Sequence, residues 1–225
     1  MKTELIESAE LFQGIKGDSL ERMLVCANVK LRHYRRGMLI FGQTEKPNSV
    51  FVLLRGRVGI VKNLASGRRS ILYEVEEGSI FGEHYFAGAD ETYWHEAEAF
   101  TEIDVMEIPW GFFFGFCEEA CEHHKQLLKN FLAVLLKKEC FTMRKLHIVS
   151  AASLKERISI WLLEEADADG IVRLKMKREE LASFLGVARP SLSRALMRLR
   201  EEGVIEVSRN HIKIIDRKKM ENFCE

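Results

Sequence analysis

At 225 residues with 47% hydrophobic content, the chain is long enough for two ordinary domains, each with a packed core. Its five cysteines, Cys26, Cys117, Cys121, Cys140 and Cys224, are odd in number and scattered, and no basic start with an apolar run opens the chain at Met1. These features predict a reducing cytoplasm rather than a disulfide-built secreted protein. The best apolar stretch, Phe131 to Leu136, falls far short of the roughly 18 to 20 residues that span a bilayer, so no membrane partner is expected. Lys plus Arg balance Asp plus Glu at 34 each, yet the segment Lys175 to Lys219 gathers twelve cations against fewer acids. A local basic excess of this kind is the footprint of a polyanion-binding module, although solvated basic faces are common.

From Leu31 to Ile108 short apolar runs alternate with turns: Met38 to Phe41, Val50 to Leu54, Arg57 to Val61, Ser70 to Tyr73 and Asp104 to Ile108. Glycines at 56, 67 and 78 stand in the breaks, where positive φ costs them little. Many short strands at near-regular spacing predict a sandwich or barrel. The texture changes after Pro109. No proline or glycine occurs between Glu118 and Val149, and Leu128, Leu132, Leu135, Thr142 and Leu146 recur three, four or seven apart. A helix of this length with a narrow apolar stripe predicts pairing along a dimer seam, the alternative being a helix packed on its own β domain. Ser150 to Ala152 reads as a hinge. Ser153 and Glu156 then form a capping-box pattern that restarts a helix through Leu163, ended by the turn at Asp167 to Gly170.

Lys177 to Leu199 has the layout of a helix-turn-helix. Leu181, Phe184 and Leu185 give the first helix an inward face, Gly186 supplies the turn, and Leu192, Leu196 and Leu199 give the second helix its own. Pro190 is tolerated only in a first turn, so the recognition helix begins near Arg189. Arg189, Ser191, Ser193 and Arg194 are left to face outward, joined by Arg178, and suit double-stranded DNA, since arginine pairs with guanine edges and serine reaches phosphate or base. Two further strands, Val204 to Val207 and His211 to Ile215, flank the polar turn Ser208, Arg209 and Asn210, which reads as a DNA-contacting wing.

With these motifs the sequence resembles the CRP/FNR family of bacterial transcription regulators over nearly its whole length. Tyr34 with Gly37, Gly42-Gln43 with Glu45, Leu54 with Gly56-Arg57-Val58, and Gly78 to Glu83 are similar to the family's cyclic-nucleotide-binding-type roll. The resemblance implies an α+β fold with three parts. These are an N-terminal double-stranded, jelly-roll-like β-roll over 1–116, a dimerisation helix over 117–149, and a C-terminal winged helix-turn-helix over 150–225. It further implies a cytoplasmic homodimer on a palindromic operator, touching RNA polymerase if the protein is an activator. The family's usual base-reading glutamate corresponds here to Pro190, which leaves the operator sequence open.

In nucleotide-binding members of the family the Gly-Glu pair is followed by an arginine and a hydroxyl residue for the cyclic phosphate. Here Gly82 and Glu83 are followed by Tyr93 and Trp94 in the acidic, aromatic segment Asp90 to Glu96. This argues against cAMP and for a planar or apolar small-molecule effector bound by Gly82, Glu83, His84, Tyr93 and Trp94. His84 aligns with a haem-ligating histidine of the family's carbon monoxide sensor, so a haem-based gas or redox sensor is the alternative. An iron–sulfur cluster is not expected, because only Cys26 lies near the start. Cys117 and Cys121, four apart beside His123 and His124, fit either buried thiols at a helix entry or a redox or soft-metal site. His33, His84 and His95 lack cupin spacing and no nucleotide or hydrolase motif occurs, so catalysis is not expected. A regulatory module without DNA binding would leave the winged motif unexplained.

Overall fold

The computed structural model describes residues 2–64, 67, 69–83, 92–114, 122–174 and 176–224. His84, Asp90, Glu91, Cys117, Cys121 and Lys175, named above, lie outside the described residues. The fold is α+β, and the chain divides into two compact units, Met1–Leu136 and Lys137–Glu225.

The first unit opens with helices α1 (Lys2–Ser8) and α2 (Asp18–Cys26), followed by strands β1 (Lys30–Tyr34), β2 (Leu39–Phe41), β3 (Ser49–Arg55), β4 (Val58–Asn63), β5 (Arg69–Val75), β6 (Ile80–Phe81), β7 (Glu96–Ala99) and β8 (Ile103–Pro109). They form two antiparallel sheets, ordered β1-β8-β3-β6 and β2-β7-β4-β5. Strand β3 explains the layering. Its apolar run is buried on both faces, and alternate side chains serve different cores. Val50, Val52 and Leu54 pack with Met106, Ile108 and the helical residues Leu11, Phe12, Leu20, Trp110, Leu127 and Phe131. Phe51 and Leu53 point between the sheets, where they meet Phe41, Val58, Ile60, Phe81, Tyr93 and Val105.

Helix α3 (Trp110–Phe114) leads to the long helix α4 (Glu122–Ser150). His124, Leu127, Phe131 and Val134 are buried, a 3-4-3 spacing that keeps one face of α4 on the roll. Asn130 on the same face donates from Nδ2 to the carbonyls of Leu11 and Gln13, at 2.9 and 2.7 Å, which satisfies backbone that the helix covers.

The second unit contains α5 (Leu154–Glu165), β9 (Ile171–Arg173), α6 (Arg178–Phe184), α7 (Arg189–Glu201), β10 (Ile205–Val207), β11 (His211–Ile214) and α8 (Arg217–Glu221). The capping box forms as the sequence predicts. The Ser153 hydroxyl accepts from Glu156 N–H at 3.1 Å, and the Glu156 carboxylate accepts from the N–H groups of Ser153 and Ala152. The wing carries one strand more than expected, since β9 joins β11 to give the order β10-β11-β9. Asp167 makes that strand possible, its Oδ1 accepting from the N–H groups of Asp169 and Ile171 to turn the chain back.

Candidate nucleic-acid interface and effector cleft

Helices α6 and α7 are separated by a tight turn in which Gly186 adopts φ +69°, the left-handed region, and Val187 N–H bonds to the Ala182 carbonyl at 2.9 Å. Leu181, Ala182 and Leu185 of the first helix and its turn, with Leu192, Leu196 and Leu199 of the second, are buried in a core shared with Trp161, Leu162, Val204 and Ile212. Burying the leucine face of α7 turns its opposite face to solvent. Arg189, Ser193, Arg194, Met197 and Arg198 are exposed and Ser191 is half-buried. Pro190 sits in the first turn, where its missing N–H leaves nothing unsatisfied.

The exposed cations are lightly held. Arg189 pairs with Glu179 of α6 at 3.1 Å, both side chains being about 60% exposed, and Arg194 reaches Ser191 Oγ only at 3.4 Å. Pairs of this kind exchange readily for a phosphate or a base edge. Arg178 is set back at the start of α6, where burial pushes its guanidinium pKa below the ordinary value and Nη1 has no hydrogen-bond partner among the described residues. Ser208, Arg209 and Asn210 form the tip between β10 and β11, closed by Ser208 N–H to the His211 carbonyl at 2.9 Å. Arg209 and Asn210 are exposed and Ser208 is half-buried.

The roll gathers its predicted effector residues less tightly. Tyr93 is 3% exposed and stacks on Phe41 with ring centres 3.8 Å apart, part of an aromatic group with Phe51, Phe81 and His95. Trp94 faces the other way. It is 53% exposed, with the Lys62 ammonium 5.4 Å above its ring. Glu83 is buried, and Gly82 lies against the edge of the Phe51 ring. A cleft of about 390 Å³ opens between the sheets, with Tyr34, Phe41, Phe51 and Tyr93 as aromatic wall and Arg32, Glu45, Lys46, Asn48 and Glu107 at its mouth. Tyr34 has its phenol pKa raised, first by burial and then by the Glu107 charge, so it stays a neutral hydrogen-bonding group. Sequence reasoning marked Tyr93 as an effector residue but singled out Tyr34 only for its spacing to Gly37, because the wall of the cleft comes from segments far apart in the chain.

On α4, Leu128, Leu132 and Leu146 are exposed, with Leu132 at 57% and Leu146 at 58%. Thr142 is exposed too, its hydroxyl donating back to the Lys138 carbonyl at 2.9 Å. Leu135 instead packs partly against the roll's own core, while Leu136 and Met143, which the heptad reading did not single out, are exposed. The difference follows from the 100° turn per residue, which carries Leu136 outward when Leu135 leans inward. No helix among the described residues is long and apolar enough to cross a membrane.

The comparisons with known proteins agree with this architecture. Residues 31–120 match the cyclic nucleotide-binding domain and residues 156–223 match the Crp-like helix-turn-helix domain, together well over half the chain. The nitrogen fixation regulation protein FixK of Azorhizobium caulinodans is 27% identical over 88% of this chain and 81% of its own length. The transcriptional activator protein anr of Pseudomonas aeruginosa is 25% identical over 82% and 76%. The solved structure of CLP, a c-di-GMP-responsive global regulator of Xanthomonas campestris, shares the fold with TM-score 0.56 at 19% identity, covering 88% of this chain and 98% of that one. The buried-leucine, exposed-arginine helix, the wing and the two-sheet roll thus place the chain in the CRP/FNR family of DNA-binding transcription regulators that carry a cyclic-nucleotide-binding domain.

Proposed function

We propose that the protein acts in the cytoplasm as a homodimer on a palindromic operator. In this reading Arg189, Ser191, Ser193 and Arg194 enter the major groove, and Arg178, Ser208, Arg209 and Asn210 touch the backbone. The observation that carries it is the division of α7 into a buried leucine face and an exposed face whose cations are held only by weak, replaceable contacts. Dimerisation uses the face of α4 that bears Leu128, Leu132, Leu136 and Leu146, which the protomer leaves open. The domains are read as 1–116, 117–149 and 150–225, and RNA polymerase is a partner if the protein is an activator.

The effector is a small planar molecule seated against Tyr93 and Phe41 in the roll, with Gly82 and Glu83 beside it. Cyclic AMP is disfavoured. From Ser70 to His124 the sequence contains no Lys or Arg, so the segment that follows Gly82 and Glu83 supplies no arginine for a cyclic phosphate. Haem on His84 is the alternative, and it rests on sequence alignment alone.

The test is selection of duplexes from a random pool by the purified full-length protein, followed by affinity measured across salt concentrations. The expected outcome is a palindromic consensus with half-sites about one helical turn apart and a steep loss of affinity with salt. Selection of no sequence, or of a single half-site by a monomer, would overturn the reading. A visible absorption spectrum settles the effector class, since a Soret band lost in His84→Ala would favour haem.

A further inference from the structure

The outer face of the roll, away from the cleft between the sheets, carries an open depression of about 520 Å³ lined by Arg36, Arg57, Arg69, Glu74, Glu98 and Phe100, among others. We propose that it is a second ligand site, separate from the effector cleft, that takes a planar organic anion. The ring of the ligand lies on Phe100 and its acidic group on Arg36 and Arg57.

The site starts from one glycine. Gly59 of β4 is registered with Glu98 of β7 on one side and Glu74 of β5 on the other, so these three positions form a row across the sheet. A Cβ on Gly59 would lie 2.0 Å from Phe100 Cζ and 2.4 Å from both Cε atoms. The bare α-carbon is therefore what lets the Phe100 ring settle onto the sheet. Hydrogen bonds from the main chain fix the surrounding frame: Phe100 N–H to the Arg57 carbonyl at 2.9 Å, Gly37 N–H to the Ala99 carbonyl at 2.7 Å, and Arg57 N–H to the Thr101 side-chain Oγ1 at 3.0 Å. The aromatic plate and the bases of the arginine side chains are thus preorganised.

Charge decides the ligand. Arg57 pairs with Glu74 at 3.4 Å and Arg69 pairs with Glu98, while Arg36 has no ion pair or hydrogen bond from its guanidinium among the described residues. Three guanidinium groups against two carboxylates leave one positive charge in the depression. The Arg57–Glu74 pair is long and its partners are 62% and 45% exposed, so a ligand carboxylate can replace Glu74 at little cost. The planar part follows from Phe100 and from the Arg69 guanidinium 5.8 Å from its ring centre, which together favour a flat partner stacked at an offset. Every lysine and arginine of the roll proper precedes Ser70, and the depression collects three of them at one aromatic ring.

Calorimetric titration of the full-length protein with 1-naphthoate tests the site, with cyclohexanecarboxylate and inorganic phosphate as comparison ligands. Saturable naphthoate binding is expected, with cyclohexanecarboxylate about tenfold weaker because it cannot stack. Arg36→Gln should weaken both carboxylates about tenfold, the loss of a charge-assisted pair. Phe100→Leu should weaken naphthoate alone. Arg36 is exposed, so its variant remains folded even if Phe100→Leu melts early. The proposal is overturned if naphthoate does not saturate, if Arg36→Gln binds it unchanged, or if phosphate binds as tightly as naphthoate. Tyr93→Leu separates the two sites, because loss of naphthoate binding there with Arg36→Gln intact would move the ligand to the interior cleft and refute this inference.

Discussion

Helix α7 buries Leu192, Leu196 and Leu199 and shows solvent Arg189, Ser193 and Arg194, whereas the roll keeps Phe41, Phe51 and Tyr93 inside and leaves charge to the rim. The contrast reflects what each unit has to meet. A duplex is approached by a convex element whose reading groups protrude, and a small molecule is enclosed by walls that are also core. A substitution in the exposed face of α7, proposed above to read DNA, is therefore expected to change binding without disturbing the fold. In the roll, Tyr93 stacks on Phe41 as part of the packing itself, so on the proposed reading a substitution there is expected to change effector binding and stability together.

Several substitutions sharpen or break this contrast. Leu196→Ala, on the buried face of α7, is expected to destabilise the C-terminal unit by about 2 to 5 kcal/mol in chemical denaturation, through a cavity the helix cannot close. Arg194→Ala, two residues before it and exposed, should leave the denaturation midpoint unchanged. It should cost about 1 to 3 kcal/mol of operator binding and relax base preference at the position it reads. A large shift in midpoint with intact specificity would show that the two faces are misassigned. Ser153→Ala removes the cap of α5 and should cost about 1 kcal/mol of stability, with no effect on base preference.

The smallest effect is expected at Glu202. Lys155, bonded to it at 2.7 Å, holds that carboxyl below its ordinary value. The resulting stability is present above the ordinary carboxylate range and fades as pH falls through the lowered value. Since the pair is open to solvent, Glu202→Gln should scarcely move Tm at neutral pH and should remove only a slight acid dependence.

The uneven legibility of the two units has the same origin. The recognition helix announces itself locally: leucines three and four apart, a glycine at the turn and Pro190 in the first turn suffice to draw its boundaries. Strands β3, β4, β5 and β8 were equally plain as apolar runs. Strand β1 was not, because Lys30, Arg32 and His33 are polar and even Leu31 is exposed, and only pairing with β8 makes it a strand. Strand β7 reads Glu-Ala-Glu-Ala, a period-2 pattern whose small inward residues, Ala97 and Ala99, give a faint signal. Of the aromatic wall of the cleft, the sequence marks Tyr93 as an effector residue but not its partners. Tyr34, Phe41, Phe51 and Tyr93 come from four separate segments, and no spacing rule links them. The helices α1, α2 and α8 were also missed, being short pieces whose stability comes from tertiary packing, as with Met220 of α8, which is fully buried.

Arg157 ties together parts of the C-terminal unit that the sequence separates. Its Nε donates to the Ala151 carbonyl at 3.1 Å, beside the break between α4 and α5, and its Nη1 donates to the Leu185 carbonyl at 3.3 Å, one residue before the Gly186 turn. Gly186 itself lies against Arg157 and Val149, where a methyl group would be in contact with both. One guanidinium thereby works as a linkage rod between the joint and the reading head. Arg157→Ala is therefore expected to loosen the tie between residue 151 and the Gly186 turn, leaving the shared hydrophobic core to hold the helix-turn-helix against α5.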